Sequence, residues 1–414
     1  MNRNLLFLVP ISKQKTIRIM NFTKKSLLFL VFTVFTLSSS FSQTFIQAYA
    51  NVVNQCSQTN ITNYLNEFEG LGLKRRGTAP LQNTLDWLKN KYLSYGYTAA
   101  QLEEQSFTNG TFTCKNLIVT KTGTVYPNIY VIVCGHYDSI GGTGTNDNGS
   151  GVACMLETAR LLQNIPTDYS IKFINFSGEE DGLIGSQSFV ANRVNNTTPK
   201  LNIRLVFNLD EVGGVAGLTN NTITCERDTN NSPSTNNAQS SAMTTQLMNC
   251  VTLYSPLQTF LSFAYASDYM SFQSNNEIIT GFFEKNETTH KHTNTDLLIY
   301  MDPVYNYNVA KATIGATLHF AQASTSLTNN EVADYKVSFF PNPTKDTLNI
   351  SLGSLTETNY TFSLIDVNGK TVLNAPISNA KLIESIPVSH LAKGLYLGVM
   401  QAGEKRITKK IVIE

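Results

Sequence analysis

Charge is scarce in this chain. Only 15% of its 414 residues are Asp, Glu, Lys or Arg, and they nearly cancel at a formal +1. That balance excludes the basic face of a nucleic-acid binder and the acidic tail of a charge-driven partner. Tryptophan is almost absent: Trp87 is the single copy, distant in sequence from every motif described below. Beyond the first 42 residues no stretch approaches the roughly 20 apolar residues that a spanning helix needs, so no stable membrane span is expected. The six cysteines (Cys56, Cys114, Cys134, Cys154, Cys225, Cys250) show no metal-finger spacing. In an exported chain they leave Cys225–Cys250 or Cys56–Cys114 bridges open.

What is present first points to export. Lys24 and Lys25 precede the apolar run 27–37, and small residues follow up to Ser42. This is the layout of a secretory signal peptide over residues 1–42, and Met20 within it opens a more ordinary signal peptide than Met1 does. From residue 43 to 323 strand and helix patterns alternate. Helices are expected at 84–95, 151–162, 185–194, 242–250, 267–274 and 303–323, and strands at 129–134, 170–176, 203–209 and 278–283. Such alternation predicts an α/β fold, a mixed and mostly parallel central sheet with helices on both faces. Residues 324–333 read as a polar linker. Residues 334–414 then change texture to short alternating strands, with Asn368-Gly369 as a hairpin turn, which predicts a small all-β sandwich.

The chemistry-bearing residues lie in five blocks of the α/β part: His136-Tyr137-Asp138, Asn146-Asp147-Asn148-Gly149-Ser150-Gly151, Gly178-Glu179-Glu180, Asn208-Leu209-Asp210 and His292-Thr293-Asn294-Thr295-Asp296. His136, Glu179 and Asp210 each fall just past a predicted strand, and such strand ends converge on one crevice in parallel sheets. An imidazole can ligate a metal while a carboxylate two residues on orients its other nitrogen, the role that suits Asp138. Adjacent Glu179 and Glu180 point different ways, so one can ligate while the other stays free to take a proton. Each block alone has an ordinary reading: Asp147 as a helix cap, the Glu pair as a solvated turn, His292 or His290 as a surface histidine. Together they supply the donors for two divalent metals and a neighbouring base.

These blocks resemble the secreted zinc aminopeptidases of the bacterial leucyl aminopeptidase type, peptidase family twenty-eight. The resemblance implies two zinc ions, one held by His136, Asp147 and Asp210, the other by Asp147, Glu180 and His292. It makes Glu179 the general base, with Asp138 beside His136, acting on peptide substrates. A monomer is expected. Ser267-Asp268-Tyr269 departs from the family's Ser-Asp-His, and the nearby Phe263, Tyr265, Tyr269, Met270 and Phe272 read either as an apolar substrate pocket or as core.

The tail resembles the sorting domains of the type IX secretion machinery, through Phe340-Pro341-Asn342-Pro343, Asp366-Val367-Asn368-Gly369-Lys370 and Leu391-Ala392-Lys393-Gly394. It implies a secreted or surface protein. Two other readings compete with the aminopeptidase. One is a glutaminyl-peptide cyclotransferase with a single zinc, whose pocket would use tryptophans. The other is a non-catalytic surface protein on a peptidase fold, which should have lost ligands.

Overall fold

The computed structural model describes residues 43–229, 232–324, 338–351, 359–367, 369–378, 383–402 and 405–414. The signal-peptide assignment, nearly all of the linker and Asn368 of the hairpin turn lie outside these residues.

The first part begins with helices α1 (Gln47–Val53), α2 (Gln58–Gly70) and α3 (Ala79–Ser94). Strands β1 (Leu102–Asn109), β2 (Phe112–Lys121) and β3 (Tyr126–His136) follow, then α4 (Gly149–Leu162), β4 (Tyr169–Phe176), α5 (Ile184–Phe189) and β5 (Asn202–Leu209). The remainder is β6 (Thr222–Arg227), α6 (Asn237–Tyr254), β7 (Gln258–Phe263), α7 (Tyr269–Gln273), β8 (Ile279–Glu284) and α8 (Pro303–Phe320). The eight strands form one sheet in the order β1-β2-β4-β3-β5-β8-β6-β7. Its centre, β4, β3, β5 and β8, is parallel, while β1, β2 and the β6–β7 pair introduce antiparallel joints. The mixed, mostly parallel sheet is therefore observed.

Period-two alternation in the central strands explains the layering. Val131, Val133, Ile171, Phe173, Leu205 and Phe207 pack into one core with α2, α3, α4, α6 and α8. Their neighbours Ile132, Cys134, Ile174, Phe176 and Val206 face the other way, against Phe189, Val190 and Phe272. Strands covered on both faces read as continuous apolar runs, and each buried aliphatic side chain contributes about 1.5–3 kcal/mol. Helix starts are locally encoded. Thr78 accepts from the Leu81 amide ahead of α3, and the Asp302 carboxylate caps α8 through the amides of Val304 and Tyr305.

Three differences from expectation have physical reasons. The β1–β2 hairpin and β6 are not evident in the sequence because polar residues such as Glu103, Glu104, Lys115 and Thr222 break their apolar pattern. The helix expected over 185–194 is α-helical only to Phe189, then continues as a π-helix over Val190–Asn195. All six cysteines are buried and unpaired, so neither disulfide forms.

The second part is all-β. Strands β9 (Ser338–Phe340), β10 (Thr347–Ser351) and β13 (Ile383–Pro387) make one antiparallel sheet, and β11 (Asn359–Ile365), β12 (Thr371–Ser378), β14 (Gly394–Ala402) and β15 (Lys405–Ile413) make another. Leu348, Ile350, Phe362, Leu364, Ile386, Met400 and Ile411 fill their common core. Among the described residues no helix is long and apolar enough to cross a membrane.

Candidate metal centre

Four parallel strands end on the same side, and the segments leaving them carry the candidate residues. His136 is the last residue of β3, Glu179 and Glu180 follow β4, Asp210 follows β5, and His292 lies in the loop between β8 and α8. Asp147 sits between β3 and α4. The helix cap there is Asn148, whose Oδ1 accepts the Gly151 amide at 3.0 Å, so Asp147 is left out of the capping role.

The side chains meet. His136 Nε2 lies 3.2 Å from Asp147 Oδ1 and 3.3 Å from Asp210 Oδ1. His292 Nε2 lies 3.0 Å from both Asp147 Oδ2 and Glu180 Oε2. Among the described residues, His136–Asp147–Asp210 and Asp147–Glu180–His292 are groups whose donor atoms all fall within 4.8 Å of one another. Asp147 belongs to both, one oxygen to each. Donors ~2.0–2.1 Å from a tetrahedral zinc stand ~3.3 Å apart, close to the spacings seen here. An all-imidazole and carboxylate donor set without thiolate also suits a hydrolytic zinc.

Electrostatics point the same way. Burial pushes the Glu179 carboxyl up to about 10, with His136 opposing and Asp210, Asp268 and Asp138 adding to the rise. Burial and Asp147 push Glu180 up to about 8. Burial alone would lower the His136 pKa, but Asp210, Glu179 and Asp147 outweigh it and hold it well above the ordinary value. Acids crowded in a dry site repel one another, and bound cations would relieve that repulsion. The residues present therefore fit two divalent ions.

Supporting contacts hold each donor. His136 Nδ1 has the Asp138 carbonyl oxygen at 3.1 Å as its nearest acceptor, with the Asp138 carboxylate at 3.7 Å. That carboxylate instead accepts the Glu179 amide at 3.3 Å, linking the ligand strand to the glutamate pair. Ser267 Oγ donates to Asp210 Oδ2 at 2.5 Å while accepting from Asn208 Nδ2 at 2.8 Å. Asp296 accepts the amides of Asn146 and Asp147 at 2.8 and 3.1 Å, fixing the loop that carries the shared carboxylate. Gly141 and Gly142 let two loops touch, since a Cβ on them would lie 2.2 Å from the His292 carbonyl oxygen and 2.0 Å from that of Thr293.

Other candidates fall elsewhere. His290 stacks on Tyr300 with 4.1 Å between ring centroids and belongs to neither donor group. Tyr269 and Phe272 are buried in the core beneath the sheet, whereas Phe263 and Tyr265 are exposed. Tyr269 Oη donates to Glu226 Oε2 at 2.6 Å and accepts the Tyr265 amide, tying down the segment ahead of Ser267. Ser267 and Asp296 stand inside quoted motifs, but their part in holding ligands is legible only from the fold.

Residues 116–316 match the profile of peptidase family M28, and residues 338–414 that of a secretion system C-terminal sorting domain. The chain thus carries a peptidase family M28 domain followed by a secretion sorting domain. Among curated proteins, Aminopeptidase YwaD of Bacillus subtilis is 42% identical over 117 residues, 28% of this chain and 25% of that protein. Leupeptin-inactivating enzyme 1 of Streptomyces exfoliatus is 35% identical over 146 residues, 34% and 32% of the two chains. The chain thus spans about a quarter to a third of the length of these relatives. The LapA aminopeptidase of Legionella pneumophila superposes with a TM-score of 0.56 at 19% identity, covering 66% of this chain and 75% of that one. At that identity the likeness speaks for the fold.

Proposed function

We propose that the chain is an exported zinc aminopeptidase that removes N-terminal residues from peptides. The observation that supports this best is the pair of donor triads sharing Asp147, with Glu179 next to a ligand yet outside both triads. His136, Asp147 and Asp210 would hold one zinc, and Asp147, Glu180 and His292 the other. Zinc held by these residues would supply a water of lowered pKa and a Lewis acid for the scissile carbonyl. Glu179 takes the proton from the attacking water and delivers it to the leaving amine. Asp138 orients the site from behind, since it neighbours His136 and accepts the Glu179 amide. The 338–414 domain directs export through type IX machinery and takes no part in the chemistry.

The cyclotransferase reading loses ground on one residue. Trp87, the only tryptophan, lies on α3, donating to Glu67 and packing edge-on against Phe68. It contributes nothing to the two triads. The test is metal-loaded protein offered leucyl-anilide and a glutaminyl peptide. Anilide hydrolysis with two zincs per chain is expected. Cyclisation of the glutaminyl peptide with one zinc would replace this reading.

A further inference from the structure

The residue after the two glutamates, Asp181, is held more firmly than a solvated turn requires. Its side chain is only 5% exposed and accepts from Arg75 Nη2 at 2.6 Å and from Arg76 Nη1 at 2.8 Å, both on Oδ1. Asn109 Nδ2, at the end of β1, donates to Oδ2 at 2.7 Å, and Arg76 Nη1 also reaches Asn109 Oδ1 at 3.0 Å. Three polar side chains from two separate segments thus close around one carboxylate.

The turn that bears it is wound tightly. The amides of Gly182 and Leu183 both donate to the Glu179 carbonyl at 2.8 and 2.9 Å, and the Ile184 amide donates to Gly178. Gly178 and Gly182 have φ of +77° and +100°, and Leu183 takes a left-handed φ of 63° without being glycine. Such a turn has no regular strand or helix to fix its angle. Its outer anchor is the Asp181 carboxylate, and its inner anchor is the Glu179 amide on Asp138. The arginines sit on the segment between α2 and α3, which is also bonded to the rim beyond β3. There the Lys74 amide donates to Ser139 Oγ and the Ser139 amide to the Lys74 carbonyl.

Resting on the peptidase reading, we propose that Asp181, gripped by Arg75, Arg76 and Asn109, is a positioning residue that aims Glu179 and Glu180 at the metal centre. The segment 72–78 is then part of the catalytic apparatus, although none of its side chains belongs to either donor triad. Taking a carboxylate out of water is costly unless it is closely paired and hydrogen-bonded, as Asp181 is here, and removing one partner of such a group is strongly felt. Displacing a reacting group by about 1 Å costs on the order of 100-fold in rate.

The variants are Asp181→Asn, which keeps size and one acceptor, and Arg76→Lys, which keeps charge and one donor. The readouts are kcat and KM on leucyl-anilide, zinc affinity by chelator competition, and thermal unfolding. For Asp181→Asn the expected result is a roughly 10–100-fold fall in kcat with KM within about threefold. The weaker of two zinc affinities should fall about tenfold, and Arg76→Lys should lie between this variant and the wild type. A folded Asp181→Asn protein with wild-type kcat and wild-type zinc affinity overturns the proposal, as does a loss of activity that only follows the unfolded fraction. If the wild type hydrolyses no aminoacyl-anilide, the peptidase reading fails instead. The zinc competition then still decides whether Asp181 positions Glu180.

Discussion

The two donor triads share one carboxylate but are built differently. His136, Asp147 and Asp210 are all buried, and two of them sit at or next to the ends of adjacent parallel strands. In the other triad Glu180 comes from a turn, and His292 stands in a loop with its side chain 54% exposed. The first triad inherits its geometry from the sheet register, where Cys134 of β3 lies opposite Asn208 of β5. The second depends on loop contacts: Asp181 with its arginines on one side, Gly141 and Gly142 against the His292 segment on the other. A preformed site binds without ordering cost, whereas a site assembled from loops must bear that cost. The sheet-borne triad should therefore hold its ion more tightly.

Removing what the triads share should have the largest effect. Asp147→Ala takes one donor from each group, so metal analysis should find both ions lost and turnover down by more than about 100-fold. Retention of both ions would show that Asp147 does not bridge. Next is Glu179→Gln, which leaves both triads whole. Here kcat should fall by about 10²–10⁴ while zinc content is unchanged, and near-normal turnover would remove Glu179 from the role of base. The finest test sets the triads against each other. His292→Ala should lose one ion and keep a tightly bound second, whereas His136→Ala should lose the tighter one. Equal residual affinities in the two variants would erase the difference between a sheet-borne and a loop-borne site.

The sequence reveals the donors and their order more readily than what holds them. His136, Glu179 and Asp210 stand out because strand ends carry polar residues after apolar runs, and a parallel sheet gathers such ends, whereas Asp147, Glu180 and His292 are singled out as ligands only by the family resemblance. The central strands are legible for the same reason, being apolar on both faces. The partners are not. Asp181 pairs with residues about 105 positions earlier, and Asp210 with Ser267 57 positions later. Neither distance leaves a local pattern. The choice of Asn148 over Asp147 as helix cap is equally hidden, since both side chains are competent caps and only the backbone path selects one. The β1–β2 hairpin, which delivers Asn109 to the Asp181 clamp, is obscured by its own polar residues.

Anomalous scattering at the zinc edge from crystals of the metal-loaded protein bears most directly on this account. Two peaks are predicted, one among His136, Asp147 and Asp210, the other among Asp147, Glu180 and His292, with Glu179 coordinating neither. A single peak, or a peak with Glu179 as a ligand, would contradict it.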